Sequence, residues 1–172
     1  RKEGVPVFVL GGGSNVLAHD EGFPGLVLKV WLKGVLTDEL DDEVAHIIAG
    51  AGVIWDDLVS IAVRRGYGGL ENLSHIPGTV GAAPVQNIGA YGTEVAATIH
   101  QVTAIDIHTG ETRDFSKDEC RFAYRHSVFK EAEGASYIIT SVIFRLSNRA
   151  PLRCGYEDVS KYCLLYTSDA AD

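Results

Sequence analysis

Apolar residues recur at different spacings along this chain, and the changes of spacing mark its elements. Residues 5–10 (VPVFVL) form a continuous apolar run that stops at GGGSN, residues 11–15, and residues 25–30 (GLVLKV) form a second. Short apolar runs bounded by glycine read as strands. Residues 43–50 read as a third strand leading into Gly50-Ala51-Gly52. There the period becomes helical, with Ile54, Leu58, Ile61 and Ala62 predicted on the buried face. Asp56 and Asp57 fall in the first turn, Arg64 and Arg65 in the last, and Gly66 stops it, an order of charges that suits the helix dipole. Alternation returns over 99–108, turns at Thr109-Gly110-Glu111 and resumes over 112–115, which predicts a hairpin. Ser116 and Glu119 stand at capping-box spacing and predict a short helix. Residues 137–146 are the clearest strand, with Ile138, Val142, Phe144 and Leu146 on one face. Strands with few helices predict an α+β fold.

Strand, glycine loop and strand are too little for a whole domain, so residues 1–33 read as the C-terminal part of a truncated one. Residues 34–162 read as a second unit. Between them, Lys33-Gly34 and the acidic stretch 38–43 form a seam or hairpin turn, its acids read as a solvated loop. The end, CLLYTSDAAD at 163–172, resembles translated assembly read-through and is expected to be a non-native tail.

Composition narrows the ligand. The hydrophobic share of 46% with 22% charged residues is that of a soluble globular protein. A net charge of −8 argues against nucleic acid, which needs a cationic surface. Anionic ligands must therefore be held by local donors rather than by the overall field. No apolar run approaches the roughly 20 residues that span a bilayer, and no signal peptide is visible, although a chain opening on Arg1 makes that silence weak. Cys120, Cys154 and Cys163 lack CxxC spacing, which points to a reducing cytoplasm, and the six histidines show no metal-ligand spacing, so no metal is expected.

The richest segment is IPGTVGAAPVQNIGAYG at 76–92, with four glycines and three alanines. So little side-chain bulk suits a backbone that approaches something flat or anionic. Pro77 and Gly78 suit the first turn of a short helix whose free N–H groups face a phosphate. Gly11, Gly12 and Gly13 allow consecutive N–H groups to converge on an anion, with Ser14 and Asn15 adding side-chain donors. This is neither a P-loop nor a GxGxxG fingerprint, and alone GGGSN would read as a strand-to-strand turn.

GGGSN with Val16-Leu17, GLENL at 69–73, the segment 76–92 and ECRFAYRHSVFK at 119–130 together resemble the UDP-N-acetylenolpyruvoylglucosamine reductases. The resemblance runs from about Val5 to Tyr162. It implies the FAD-binding fold of the vanillyl-alcohol oxidase (PCMH) type, FAD as cofactor and NADPH as co-substrate. It implies reduction of the enolpyruvyl ether of UDP-N-acetylglucosamine-enolpyruvate to UDP-N-acetylmuramate, a step of peptidoglycan synthesis in the bacterial cytoplasm. The complete protein would be a monomer, with no nucleic-acid or membrane partner.

By the same resemblance, the flavin diphosphate sits on residues 11–15. Ile76, Pro77, Gly78, Gly81 and Ala82 approach the flavin, with Asn87, Gly89, Ala90 and Tyr91 further along the same surface. Gln86 and Asn87 carry amides of the kind that read a flavin's carbonyl and ring-nitrogen edge. Arg125 is implied as the catalytic cation, since a guanidinium gives paired donors to a carboxylate and keeps its charge. Tyr124 lines the same pocket, and Tyr156 matches a tyrosine that closes over substrate in one branch. His126 takes no role, and His75 is read as a structural neighbour. The proton-donating serine and its partner glutamate fall beyond the equivalent of Tyr162, so this chain alone is expected to be inactive. The alternatives are another FAD-dependent oxidoreductase of that superfamily, or a non-catalytic flavin-binding module.

Overall fold

The computed structural model describes residues 4–151 and 155–157. The end of the predicted second unit, the tail at 163–172, Cys154 and Cys163 lie outside the described residues. The chain opens with β1, Val7–Leu10, paired in parallel with β2, Leu26–Lys29. The GGGSN loop leaves directly from the end of β1.

The body is a five-stranded antiparallel sheet, built from β3 (Val35–Glu39), β4 (Val44–Gly50), β7 (Ile99–Asp106), β8 (Thr112–Ser116) and β9 (Tyr137–Ser147) in the order β3-β4-β9-β7-β8. A small hairpin of β5, Gly89–Ala90, and β6, Thr93–Glu94, sits apart from it. Helix α1 spans Trp55–Arg64. Alternation along β4 puts Ala45, Ile47 and Ala49 in the core, opposite Val142, Phe144 and Leu146 of β9. Trp55 joins them edge-on to Phe144, ring centres 5.9 Å apart, and its indole N–H donates to the Leu73 carbonyl at 2.7 Å. A buried Trp needs that partner, because an unpaired indole N–H costs desolvation energy.

Most predicted elements form, with four corrections. The acidic stretch is only partly a loop: Asp38 and Glu39 end β3, opposite His46 and Ala45. As the sheet's edge, β3 suits charged side chains, which discourage further strand pairing. The turn proper is held by Asp41, whose Oδ1 accepts the N–H groups of Glu43 and Val44 at 2.8 Å each. Those two bonds hold its carboxyl below the usual range. The buried face of α1 is Trp55, Leu58, Val59 and Ala62, leaving Ile54 exposed as the N-cap. The Ser116–Glu119 capping box forms, with Glu119 Oε2 accepting from the Ser116 N–H at 2.9 Å, yet it closes a turn rather than a helix. Finally, Ile139 rather than Ile138 is buried in β9, because the pairing with β7 shifts register between Thr103 and Ala104. A β-bulge there puts Ile139 on the same face as Val142. The β7–β8 hairpin follows its prediction, Ile105 opposite Thr112 and Gly110 at φ +75°.

The outer sheet face carries a pH-sensitive pair. His46 stacks on His100 with ring centres 4.4 Å apart, and its Nε2 is buried without a partner. Burial first, then His100 and Arg145, hold the His46 imidazole below its usual range, with Asp38 opposing. These are the charged groups facing it from β7, β9 and β3. The folded protein thus takes up this proton at lower pH than the unfolded chain. His46 contributes its full stability above the unfolded value of about 6.5 and loses it as pH falls through the lowered folded value. Thermal melts taken downward from about pH 7.5 should show Tm falling, and His46→Gln should flatten that fall.

Candidate functional site

The two glycine-rich loops lie against each other. A methyl on Gly12 would stand 3.2 Å from the Gly78 Cα, and one on Gly11 would stand 2.9 Å from the Thr79 hydroxyl. The Ser14 hydroxyl donates to the Pro77 carbonyl at 3.1 Å, and the Asn15 amide donates to Gln86 Oε1 at 3.3 Å. The side-chain donors expected to face a phosphate therefore stitch one loop to the other. Between the loops opens a cavity of about 480 Å³, a size typical of small-molecule sites. Gly11, Gly12, Gly13, Ser14, Asn15, Ile76, Pro77, Gly78, Gly81, Ala82 and Gln86 all line it. Its other walls are largely apolar, including Ala51, Trp55, Val85, Phe129 and Ile139, with Lys130 as the one basic residue of the lining. A cleft framed by two closely packed glycine loops, with an apolar wall and a polar edge at Gln86, fits a flat, anionic dinucleotide. Among the described residues no histidine or cysteine lines the cavity.

The expected helix start at Pro77-Gly78 is corrected. Gly78 has φ +137°, and the short 3₁₀ turn Val80–Ala82 begins after Thr79. Its first N–H groups point into the protein: Val80 donates to Val53 at 2.9 Å and Gly81 to Ala51 at 2.8 Å. The reason is packing, since Gly81 presses on Ala51 so closely that a methyl there would lie 2.5 Å from the Ala51 Cβ.

Asn87, Gly89, Ala90, Tyr91, Tyr124, Arg125 and Tyr156 do not line this cavity. Several of them meet beside it. Ala90 and Thr93 close a two-residue hairpin loop in which Tyr91 and Gly92 have φ +49° and +72°. Glycine is at home there and tyrosine is not, so Tyr91 is held in a costly backbone state. Its ring meets Tyr156 edge-on, centres 5.5 Å apart. In the next segment, Ala123 and His126 exchange backbone bonds at 3.1 and 3.0 Å, leaving Tyr124 and Arg125 at the tip of a tight turn. Arg125 also has a positive φ, +52°. Its guanidinium donates to the Gly89 carbonyl at 3.1 Å and lies 5.9 Å from the exposed Tyr124 ring centre.

The usual fate of an exposed arginine is a salt bridge. Arg113 pairs with Glu119, Arg121 with Glu131 and Glu133, and Arg149 with Glu43. Among the described residues Arg125 forms no ion pair, as Arg64, Arg65 and Arg145 also do not; what sets it apart is its bond to the Gly89 carbonyl at the end of the glycine-rich segment. His126 instead pairs with Glu131 at 3.0 Å, and the His75 N–H donates to Asp56 Oδ1 at 2.8 Å. Sequence reasoning missed Lys130, whose ammonium donates to the Arg125 carbonyl at 3.0 Å and which sits in the same motif five residues on. It also missed Thr79 and Ala51, ordinary residue types that carry no chemical signal.

Comparisons with known proteins agree with this geometry. Residues 1–116 match the family model described as FAD binding domain. The UDP-N-acetylenolpyruvoylglucosamine reductase of Bdellovibrio bacteriovorus is 48% identical over 157 residues, covering 91% of this chain and 46% of that protein. The enzyme of the same name from Chromobacterium violaceum is 49% identical over 159 residues, with 91% and 46% covered. This chain thus spans about half the length of the curated relatives it matches. Among solved structures, UDP-N-acetylenolpyruvylglucosamine reductase from Thermus caldophilus superposes with a TM-score of 0.68 at 31% identity, over 92% of this chain and 53% of that one. A solvent-stable cholesterol oxidase superposes at 0.64 with 19% identity, covering 86% and 31%, and shares the fold alone. The predicted α+β fold of the vanillyl-alcohol oxidase type is the fold observed, and the chain belongs to the FAD-binding domain family, as the counterpart of about half of a UDP-N-acetylenolpyruvoylglucosamine reductase.

Proposed function

We propose that this chain is the FAD-binding part of an NADPH-dependent reductase. It converts UDP-N-acetylglucosamine-enolpyruvate to UDP-N-acetylmuramate for peptidoglycan synthesis in the bacterial cytoplasm. The observation that carries the reading is Arg125: an exposed guanidinium on a left-handed backbone, tied to the Gly89 carbonyl beside a cavity framed by two glycine loops and an apolar wall. FAD, when bound, supplies hydride transfer between NADPH and the enolpyruvyl double bond.

The residues of the chain then divide the work. Gly11, Gly12 and Gly13 leave room for the diphosphate, while Ile76, Pro77, Gly78, Gly81 and Ala82 give the ring system a wall without side-chain bulk. The apolar residues behind them exclude water, which strengthens every charge interaction in the site. Arg125 pairs its N–H groups with the substrate carboxylate, where negative charge accumulates as the double bond is reduced. Tyr124 and Tyr156 offer faces that close over the sugar nucleotide. We place the boundary between the two flavin-binding units at residues 33 and 34. The seam is tightly packed, since methyls on Gly50 and Gly52 would each stand 2.6 Å from backbone of residues 31–32.

The test is direct. In the chain completed to the length of its relatives, NADPH oxidation should depend on the enolpyruvyl sugar nucleotide and stop without it. Oxidation indifferent to that compound would sink the reading. The chain as it stands is expected not to turn over: a positioned general acid commonly contributes about 10²–10⁴-fold, and the resemblance assigns that role to none of its residues. Flavin absorbance in the purified chain separates retention of cofactor from this loss of turnover.

A further inference from the structure

Asn87 stands in the glycine-rich loop, yet its side chain is 1% exposed and faces away from the cavity lining. Its amide is committed to the protein. Oδ1 accepts the Ala96 N–H at 3.1 Å, while Nδ2 donates to Glu94 Oε2 at 2.9 Å and to the Ala123 carbonyl at 3.0 Å. A primary amide has two N–H donors, and both are spent. The backbone here is left-handed, φ +46°, which asparagine tolerates better than most L-residues.

Ala123 is the entry to the turn that presents Tyr124 and Arg125. Three bonds join loop to turn, at alternate loop positions. The Ser127 hydroxyl donates to the Val85 carbonyl at 2.6 Å, Asn87 to Ala123 at 3.0 Å, and Arg125 to Gly89 at 3.1 Å. Of the three, the Asn87 bond runs from the loop's side chain to the turn's backbone and fixes the turn where it starts. Arg125 sits at a costly φ, a state that persists only where the surroundings over-determine it.

We propose that Asn87 is a positioning residue: its buried amide clamps the Ala123–His126 turn to the cofactor wall and so aims the Arg125 guanidinium. This rests on the assignment of Arg125 to the substrate carboxylate. Asn87 touches neither cofactor nor substrate and acts through the turn.

Two variants test it in the completed, flavin-loaded enzyme. Asn87→Gly keeps the left-handed backbone and removes the three hydrogen bonds of the Asn87 amide. Asn87→Asp keeps size and the acceptor for Ala96, shares a proton with Glu94 and loses the donor to Ala123, and serves should the glycine variant fail to fold. Flavin content and flavin reduction by NADPH should stay at the parent level. Reoxidation by the enolpyruvyl sugar nucleotide should fall roughly 10–100-fold, as expected of a charge displaced by about 1 Å. Hydrogen exchange should quicken at the Ala123 and His126 amides and not along Tyr137–Ser147.

A double-mutant cycle decides the route. If Asn87 works through Arg125, Asn87→Gly brings no further loss in an Arg125→Ala background. Full additivity there, unchanged reoxidation in both single variants, or loss of flavin in step with the rate would each overturn the proposal. If the parent enzyme does not reduce the substrate at all, it is the carboxylate assignment that has failed. Exchange at residues 123 and 126 then still decides whether the clamp exists, and unchanged exchange there overturns it.

Discussion

Arg125→Lys, in the chain completed to its relatives' length, is expected to slow reoxidation by the enolpyruvyl substrate roughly 10²–10³-fold, the usual loss of one preorganised donor at a developing charge. Lysine keeps the charge but loses the planar fork, so paired contacts to a carboxylate become a single point contact. It also loses the bond from Nη2 to the Gly89 carbonyl that holds the side chain in place. Flavin content should hardly change, because Arg125 lies off the cavity lining. Reduction by NADPH should slow less, since that half-reaction develops no charge on the enolpyruvyl carboxylate. Stopped-flow measurement of both half-reactions in one variant checks this. An unchanged reoxidation rate would remove Arg125 from the mechanism.

Valine at Gly78 and at Gly81 should give opposite kinds of damage, although both lie in one loop. At Gly81 a Cβ would stand 2.5 Å from the Ala51 Cβ and 3.1 Å from the Ala51 Cα and carbonyl oxygen. Backbone cannot yield there, so Gly81→Val should cost about 3 kcal/mol or more, and folding itself should suffer. At Gly78 the nearest atom to a Cβ is the Ser14 hydroxyl at 3.5 Å, an ordinary contact, and the obstacle is φ +137°. Gly78→Val should cost about 1–3 kcal/mol in strain. Its branched side chain would stand where the two loops meet, and it should empty the cleft of flavin while the fold survives. Thermal melts paired with flavin absorbance separate the two. Full flavin occupancy in a folded Gly78→Val protein would reduce the loop to scaffolding.

How much of this could be read from the chain follows from which interactions leave a local trace. Strands β4, β7 and β9 were legible because one face of each is buried, which enforces alternation. Strand β3 was not, because an edge strand has no need of apolar residues at Asp38 and Glu39. The capping box at Ser116 was chemically correct and structurally misleading: the reciprocal bonds form around a turn as readily as around a helix. In the site, glycines signalled the cavity walls because the loops there pack backbone to backbone, with no space for a Cβ at Gly11, Gly12 or Gly81. The placement of Asn87, the stitching roles of Ser14 and Asn15, and the contact of Lys130 with Arg125 depend on partners 5 to 71 positions away. No residue type announces such a partner in advance.

The tripeptide Gly50-Ala51-Gly52 touches three parts of the molecule at once. Gly50 and Gly52 pack on residues 31–33, where the Gly52 N–H donates to the Leu32 carbonyl at 2.8 Å. Ala51 carries Gly81 on one side and donates its N–H to Thr140 of β9 at 2.8 Å on the other. Anything that fills the cleft leans on both glycine loops and hence on both sides of this junction. Occupancy and docking of the β1–β2 unit are then linked equilibria, and a ligand stabilises the docked form by RT ln(1 + [L]/Kd). The cofactor would act as a mechanical fastener between the β1–β2 pair and the five-stranded sheet, and protection of residues 7–29 against proteolysis would serve as a gauge of its binding.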